Sequence, residues 1–332
     1  KIHHCMIDGI SGVDLTTILL NVVPTEEIEE KKPWEPRLAP SPAELAVSEL
    51  ARSTRKRIDD LTSITETAKT GIEKIGTTAA KLSAAADSLR SGWLTQSTNT
   101  PLNPEIGPNR RFDWTEMPLD GVKHIKNALG GTVNDAVLAI TAGAIRHFLE
   151  VERGFSTDGI EFRVMAPVSV RRPDQKGSLG NQVAMWLVHL PVDEADPVKR
   201  LAAIASETQH LKESNQALGA ATLVDLSSGT PLPLLSIANR VASSTIRPFN
   251  MTVTNVPGPQ FPMYLIGSKM LANYPIVPLW AQHGVGLALF SYDGRLLWGV
   301  HADYDSIPDT EAFVGSLQHS FKLLTNAADA AS

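Results

Sequence analysis

Two apolar runs joined by Asp293-Gly294, in the stretch GVGLALFSYDGRLLWGVHAD (284–303), constrain this chain most. A two-residue hairpin loop needs positive φ at both central positions, and Asp-Gly tolerates that. Strands are therefore expected at Gly286–Tyr292 and Leu296–Asp303. Further strand patterns lie at Arg110–Met117, Phe162–Val170, Gln182–Leu190, Asn250–Asn255, Met263–Ile266 and Lys269–Leu271. Helical spacing runs through Leu119–Leu129 up to Gly130-Gly131, Thr132–Leu149, Asp196–Ser214 with weaker stretches to about Ser244, and from Pro308-Asp309 to about Ala327. Thr132-Val133-Asn134-Asp135 has the shape of a capping box. The order of elements reads as α+β, without regular βαβ alternation.

The first hundred residues are organised differently. Gly9 to Val23 reads as a short apolar helix stopped by Pro24, and 24–42 is a proline-rich linker. Ser41-Pro42-Ala43-Glu44 resembles a helix start, with Ser41 as N-cap. From Ala43 to about Arg90 apolar residues recur at three-four spacing, interrupted by Gly71 and Gly76. The basic run RSTRKR (52–57) suits either a solvated helix face or a contact with anionic lipid. A second loop covers 91–109.

Composition narrows the function classes. The chain has 332 residues and a formal net charge of -6, which argues against nucleic acid as a partner. Its one cysteine, Cys5, excludes a disulfide framework and a Cys-rich zinc site. No apolar run approaches the roughly 20 residues that span a bilayer. No signal peptide, GxGxxG after a strand, P-loop, HExxH or GxSxG is present. The chain opens Lys1-Ile2 with no initiating Met, which reads as a sequence whose natural N-terminal part is absent.

The chemistry concentrates in HHCMIDG (3–9), an HHxxxDG pattern. Three readings compete. Adjacent histidines point in different directions and rarely share one metal, so metal is disfavoured; a structural pair is the second reading. The third is general-base catalysis, in which one imidazole takes a proton from an alcohol or thiol near neutral pH. The other imidazole, His3 or His4, then fixes loop geometry, Asp8 orients a ring or pairs with an Arg, and Gly9 leaves room for substrate. With no nucleophile in context elsewhere, direct transfer without a covalent acyl-enzyme is expected.

HHxxxDG resembles the hallmark of the CoA-dependent acyltransferase superfamily. The rest of the chain is similar to its actinobacterial-type wax ester synthase/acyl-CoA:diacylglycerol acyltransferase branch. The matching stretches are PLNPEIGPNRRF (101–112), GGTVNDAVLAITAGAIRHFL (130–149), MAPVSVRR (165–172), GNQVAMWLVHLP (180–191), TNVPGPQFPMYLIG (254–267) and FSYDGRLLWGVHAD (290–303). The DFGWG motif of other branches is missing.

The resemblance implies two chloramphenicol-acetyltransferase-like α+β subdomains, mixed sheets flanked by helices, the N-terminal one incomplete in this chain. Residues 1–40 would be its remnant, 41–108 a linking segment and 109–332 the C-terminal subdomain. It implies acyl-CoA as co-substrate, diacylglycerol or a fatty alcohol as acceptor, and neither a permanently bound cofactor nor a metal. The setting implied is cytoplasmic, peripheral to membrane or lipid droplets, with an N-terminal polypeptide as a further partner completing the site. His4 would be the general base and His3 positional; Asp8 would be structural through an Arg such as Arg171 or Arg172. Asn134 and Asp135 match the family's ND motif, for which a helix N-terminus and active-site organisation are the two readings. Asn255 and Gly258 are tunnel-wall candidates, or simply a strand and its turn. Arg110 and Arg111 are candidates for CoA phosphates, or for structural pairing. Two alternatives stand beside this: a non-catalytic lipid-binding fragment, and a condensation-type enzyme using a carrier-protein thioester.

Overall fold

The computed structural model describes residues 13, 16–27, 33, 35–36, 38–45, 47–48, 51, 54, 95–169, 183–213 and 247–332. The periodic segment beyond Thr54, most of RSTRKR and the stretch 214–246 lie outside the described residues. The chain divides into two compact units, one of residues 1–26 with 85–332 and one of 27–84. In the smaller unit Ser41 caps a helix start as the sequence suggests. Its N–H and Oγ donate to Glu44 Oε2 at 2.7 and 2.8 Å, and Glu44 N–H donates back to Ser41 Oγ at 3.3 Å.

The larger unit follows the expected order. It runs β1 (Arg110–Pro118), α1 (Leu119–Leu129), α2 (Val133–His147, then a wide turn Phe148–Glu152), β2 (Arg163–Ser169), β3 (Val183–His189) and α3 (Pro197–Glu213). It continues with β4 (Met251–Pro257), β5 (Tyr264–Leu265), β6 (Ser268–Lys269), β7 (Val285–Tyr292), β8 (Arg295–Asp303) and α4 (Thr310–Ala331). Among the described residues six strands form one mixed sheet in the order β1-β8-β7-β4-β2-β3. The β7–β4 and β4–β2 pairs are parallel and the other pairs antiparallel. The β7–β8 turn is the expected one, with φ of 46° at Asp293 and 78° at Gly294.

One face of the sheet is covered by helices. Val164, Ala166, Trp186, Val188, Met251, Val253, Leu287, Leu289, Trp298 and Val300 alternate along their strands and meet α1 to α4 in one apolar core. Helix α2 is buried from Asp135 to Ile145, so it lies in the middle of that layer rather than on its surface. Burying each large side chain there contributes about 1.5–3 kcal/mol.

The other face carries a strap, residues 270–283. The Pro275 carbonyl oxygen passes 1.9 Å from where a Cβ on Gly299 would sit, so only glycine admits the backbone there. His301 Nδ1 lies 2.8 Å from Val277 O. Tyr274 packs beside Trp114 of β1, 5.6 Å between ring centroids. The far end of the strap is pinned by buried His283, with Nε2 2.9 Å from Phe249 O and Nδ1 2.7 Å from Ala281 O. Burial holds this imidazole below its ordinary pKa, so it is neutral near pH 7 and donates to one carbonyl only.

The entry to β4 is fixed by side chains. Buried Asn250 donates to Thr98 O at 2.7 Å and to Asn103 Oδ1 at 2.8 Å, and accepts from Arg163 N–H at 2.9 Å. Asn103 in turn donates to Asn250 O at 2.8 Å and to Gln282 O at 3.1 Å. Asn250→Ala would strand several of these groups without water, at about 1–3 kcal/mol each. A loss of about 3 kcal/mol is expected in urea unfolding monitored by tryptophan fluorescence; an unchanged midpoint would remove this clamp from the account.

Candidate active site

Of the residues singled out from sequence, His3, His4, Asp8 and Gly9, with Arg171 and Arg172, lie outside the described residues. The others sit on the larger unit, and each has a definite local reason for its place.

Asn134 and Asp135 open α2. The capping box forms: Thr132 N–H and Oγ1 donate to Asp135 Oδ2 at 2.8 and 2.7 Å, and Asp135 N–H donates to Thr132 Oγ1 at 3.2 Å. The second carboxylate oxygen accepts from Thr208 Oγ1 of α3 at 2.6 Å. Asp135 is thus buried and engaged at both oxygens, joining α2 to α3 beside a helix N-terminus that favours its charge. Both of its oxygens thus have partners within the fold. Thr208 was not legible as its partner, because a lone Thr on an amphipathic helix carries no pattern. Asn134 is different: it is half-buried, and its side-chain amide has no hydrogen-bond partner among the described residues.

Asn255 is half-buried towards the end of β4, in register with Leu289 of β7 and on the pleat face of Val253. Its amide is also without a partner among the described residues. Gly258 follows directly. Its N–H donates to Ser291 Oγ at 3.1 Å, and a Cβ there would lie 2.3 Å from Phe290 Cζ and 2.4 Å from the Ser291 carbonyl oxygen. Gln260 Nε2 donates to the same Ser291 Oγ at 3.0 Å. The turn after β4 is therefore packed directly onto the end of β7, and a side chain at 258 would displace backbone.

Arg110 and Arg111 take structural partners. Arg110 Nη1 donates to Gly107 O at 2.6 Å and Asn109 O at 2.7 Å and lies 3.3 Å from Asp303 Oδ1. The Arg111 guanidinium sits 4.0 Å over the Tyr304 ring. Arg111 also lines an open cleft of about 670 Å³, but Asp113, Asp309 and Glu311 share that lining, which opposes a phosphate. Burial pushes the Asp303 carboxyl up, yet hydrogen bonds from Ser306 and Gly107 and the charge of Arg110 outweigh it, so its pKa lies below the ordinary value.

The fold defines a class, α+β with a mixed sheet backed on one face by helices. Alignment with the solved wax ester synthase/diacylglycerol acyltransferase of Marinobacter aquaeolei VT8 gives a TM-score of 0.62 at 20% identity, covering 99% of this chain and 67% of that one. The wax ester synthase/diacylglycerol acyltransferase catalytic domain matches residues 1–137, and the WS/DGAT C-terminal domain matches 179–325. A putative diacylglycerol O-acyltransferase of Mycobacterium tuberculosis H37Rv is 31% identical over 336 residues, covering 98% of this chain and 70% of the relative. A second one from that strain is 36% identical over 217 residues, covering 64% of this chain but only 43% of the relative. The chain belongs to the wax ester synthase/diacylglycerol acyltransferase family.

Two outcomes test this local picture. Gly258→Ala is expected to cost about 1–3 kcal/mol by overpacking against Phe290 and Ser291, read as a lower thermal midpoint; a neutral effect would mean that the turn is not packed as described. Asp303 has a folded pKa below its unfolded value of about 3.9. Its contribution is therefore fully present above that value and lost as pH falls through the folded pKa. Asp303→Asn should lower the urea midpoint at neutral pH and flatten the acid loss below about pH 4. An acid limb identical to the parent's would refute this.

Proposed function

We propose that this chain serves acyl transfer from an acyl-CoA thioester to the hydroxyl of a diacylglycerol or a long-chain alcohol, with His4 as general base. The observation that carries the reading is the complete HHxxxDG motif at 3–9, inside the stretch matched by the family's catalytic domain. His4 takes the acceptor's hydroxyl proton as its oxygen attacks the thioester carbonyl. The tetrahedral adduct collapses, the C–S bond breaks, and the CoA thiolate recovers the proton from His4. The products are an ester and free CoA, with no acyl group passed to the protein.

In this reading His3 and Asp8 hold the loop and Gly9 gives the acceptor room. Asp135 organises the start of α2, while Asn134 and Asn255 have amides free of partners among the described residues and suit contact with substrate. Gly258 keeps the strand-end turn close to β7. The exposed side chains Ile18, Leu19, Val22, Val23, Leu265 and Ile266 support contact with a lipid phase, where such acceptors reside. Among the described residues no single helix is long and apolar enough to cross a membrane.

The test is CoA release from palmitoyl-CoA with dioleoylglycerol or hexadecanol as acceptor. His4→Ala should lower kcat by about 10²–10⁴-fold, the usual contribution of a positioned base. Turnover equal to the parent's would remove His4 from the chemistry, and the acceptor giving the higher kcat/KM identifies the substrate.

A further inference from the structure

Where α2, α3 and α4 pack together, the helix layer encloses a positive charge. Arg200 of α3 is 2% exposed and Ser320 of α4 is 1% exposed, and both lie against α2 at Gly143. A Cβ on Gly143 would stand 2.2 Å from Ser320 Oγ and 2.8 Å from Arg200 Nη2, so the missing side chain is what lets both groups reach the helix at one point. Arg200 Nη1 donates to Glu194 O at 2.6 Å. Arg200 Nε and Ser320 Oγ are buried with no hydrogen-bond partner among the described residues. In a guanidinium Nε and Nη2 share one edge, a fork that grips an anion through two parallel N–H groups. One corner of that fork stands beside Ser320 Oγ, and the other corner, Nε, is unused.

The neighbouring carboxylates are committed elsewhere. Asp196 Oδ1 accepts from Val198 N–H at 2.8 Å and from Lys199 N–H at 3.3 Å at the start of α3, and Glu194 Oε1 accepts from Asp196 N–H at 2.8 Å. Glu150 Oε1 lies 3.0 Å from Arg146 Nη2 and accepts from Thr157 Oγ1 at 2.5 Å. Arg146 adds a second cation to the neighbourhood. Burial first, and then the charge of Arg146, hold the Arg200 guanidinium below its ordinary pKa, against the pull of Glu194 and Asp196. An arginine keeps its proton even so. A buried charge without a counter-charge is costly in a dry interior. Water would fill the open hydrogen bonds and leave that charge uncompensated; an anion answers both.

We propose that Arg200 and Ser320 bind a small monovalent anion, chloride, between the Nε–Nη2 edge of the guanidinium and the serine hydroxyl beside Gly143. The depth of the site selects a single-atom ion over a carboxylate or a phosphate, since both donors are almost wholly enclosed by the three helices. The ion supplies the counter-charge that Arg200 lacks and ties α3 to α4 across α2. Packing of the helix layer then depends on the halide concentration, because a ligand that binds only the folded chain stabilises it. The site stands apart from the acyl-transfer reading and does not rest on it.

The test replaces sodium gluconate stepwise with sodium chloride at constant ionic strength and reads the thermal midpoint of the parent chain, Ser320→Ala and Arg200→Met. Crystals of the parent soaked in sodium bromide locate the ion by anomalous scattering. The parent's midpoint should rise saturably with chloride, and a bromide peak should lie on the Nε–Nη2 edge of Arg200. Ser320→Ala removes one hydrogen bond to a charge and should raise the chloride concentration at half-effect about tenfold. In Arg200→Met the midpoint should no longer distinguish chloride from gluconate, whatever its absolute value. A parent midpoint equal in the two salts overturns the proposal and leaves the two groups to water. A bromide peak without saturable stabilisation in solution also overturns it, as an adventitious ion only. If Arg200→Met does not fold, Ser320→Ala decides: a chloride response identical to the parent's removes the ion from this site.

Discussion

The centre of the sheet depends on the paired amides of Asn103 and Asn250. Strand β4 joins β2 in parallel over only two residue pairs, Val164–Met251 and Met165–Thr252. So short a ladder does little to fix β2 against β4, which is itself held to β7 over six pairs, and a slip of one residue would exchange the helix-facing and strap-facing side chains of β2. The Asn250 side chain prevents it by bonding to Thr98, Asn103 and Arg163 at once, and Asn103 extends the clamp to Gln282 at the end of the strap. Buried and fully paired, such a network specifies one arrangement, because every alternative leaves amides unsatisfied in a dry interior. The β7 ladder then carries Val253 under the helices and Asn255 to the strand's far end, opposite Leu287 and Leu289.

The two faces of the sheet then have different tasks. The helix face is a conventional apolar core, with α2 buried along its middle and its first turn locked by Thr132, Asp135 and Thr208. The opposite face is covered by chain without regular structure, admitted where Gly299 removes a side chain from the path of Pro275. Covering a sheet with a strap rather than a helix places irregular backbone, with its polar groups, against apolar side chains. His301 meets the Val277 carbonyl of the strap from β8, and His283, within the strap, lies against Ala281 O and Phe249 O. Neutral, buried His283 has one N–H, so its ring also brings an acceptor nitrogen into the interior, a cost that a helical cover would not incur.

Most of the scaffold was legible because its signals are local. The Asp293-Gly294 hairpin, the Thr132 capping box, the Ser41 cap and the limits of α1 and α3 each follow from a few adjacent residues, and the structure has them within a residue or two. What was not legible depends on residues far apart in the chain. Ile266-Gly267 forms the turn between β5 and β6 with no favourable residue at its first position, so the sequence pattern carried the first strand into the turn and set the second, expected at Lys269–Leu271, one residue late of Ser268–Lys269. The Asn103–Asn250 pair spans nearly half the chain. The Arg110 partner, Asp303, became visible only once β1 was seen to pair with β8 in the register that sets those two residues opposite each other.

That register also bears on how a motif should be read. Arg110 and Arg111 stand in a stretch shared with the family, next to a loop, and two adjacent cations invite an anionic ligand. The geometry gives them partners instead: a buried carboxylate for one and an aromatic face for the other. Asp135 behaves similarly, since an acid in a shared motif proves to be a helix cap bonded across to α3. Asn134 and Asn255 show the opposite case, half-buried amides whose hydrogen-bonding capacity the described residues leave unused. Half-exposed amides of this kind bond to water at little cost, unlike the fully buried groups around them. The structure thus pairs the charged groups of these stretches, while the amides of Asn134 and Asn255 stay half-exposed.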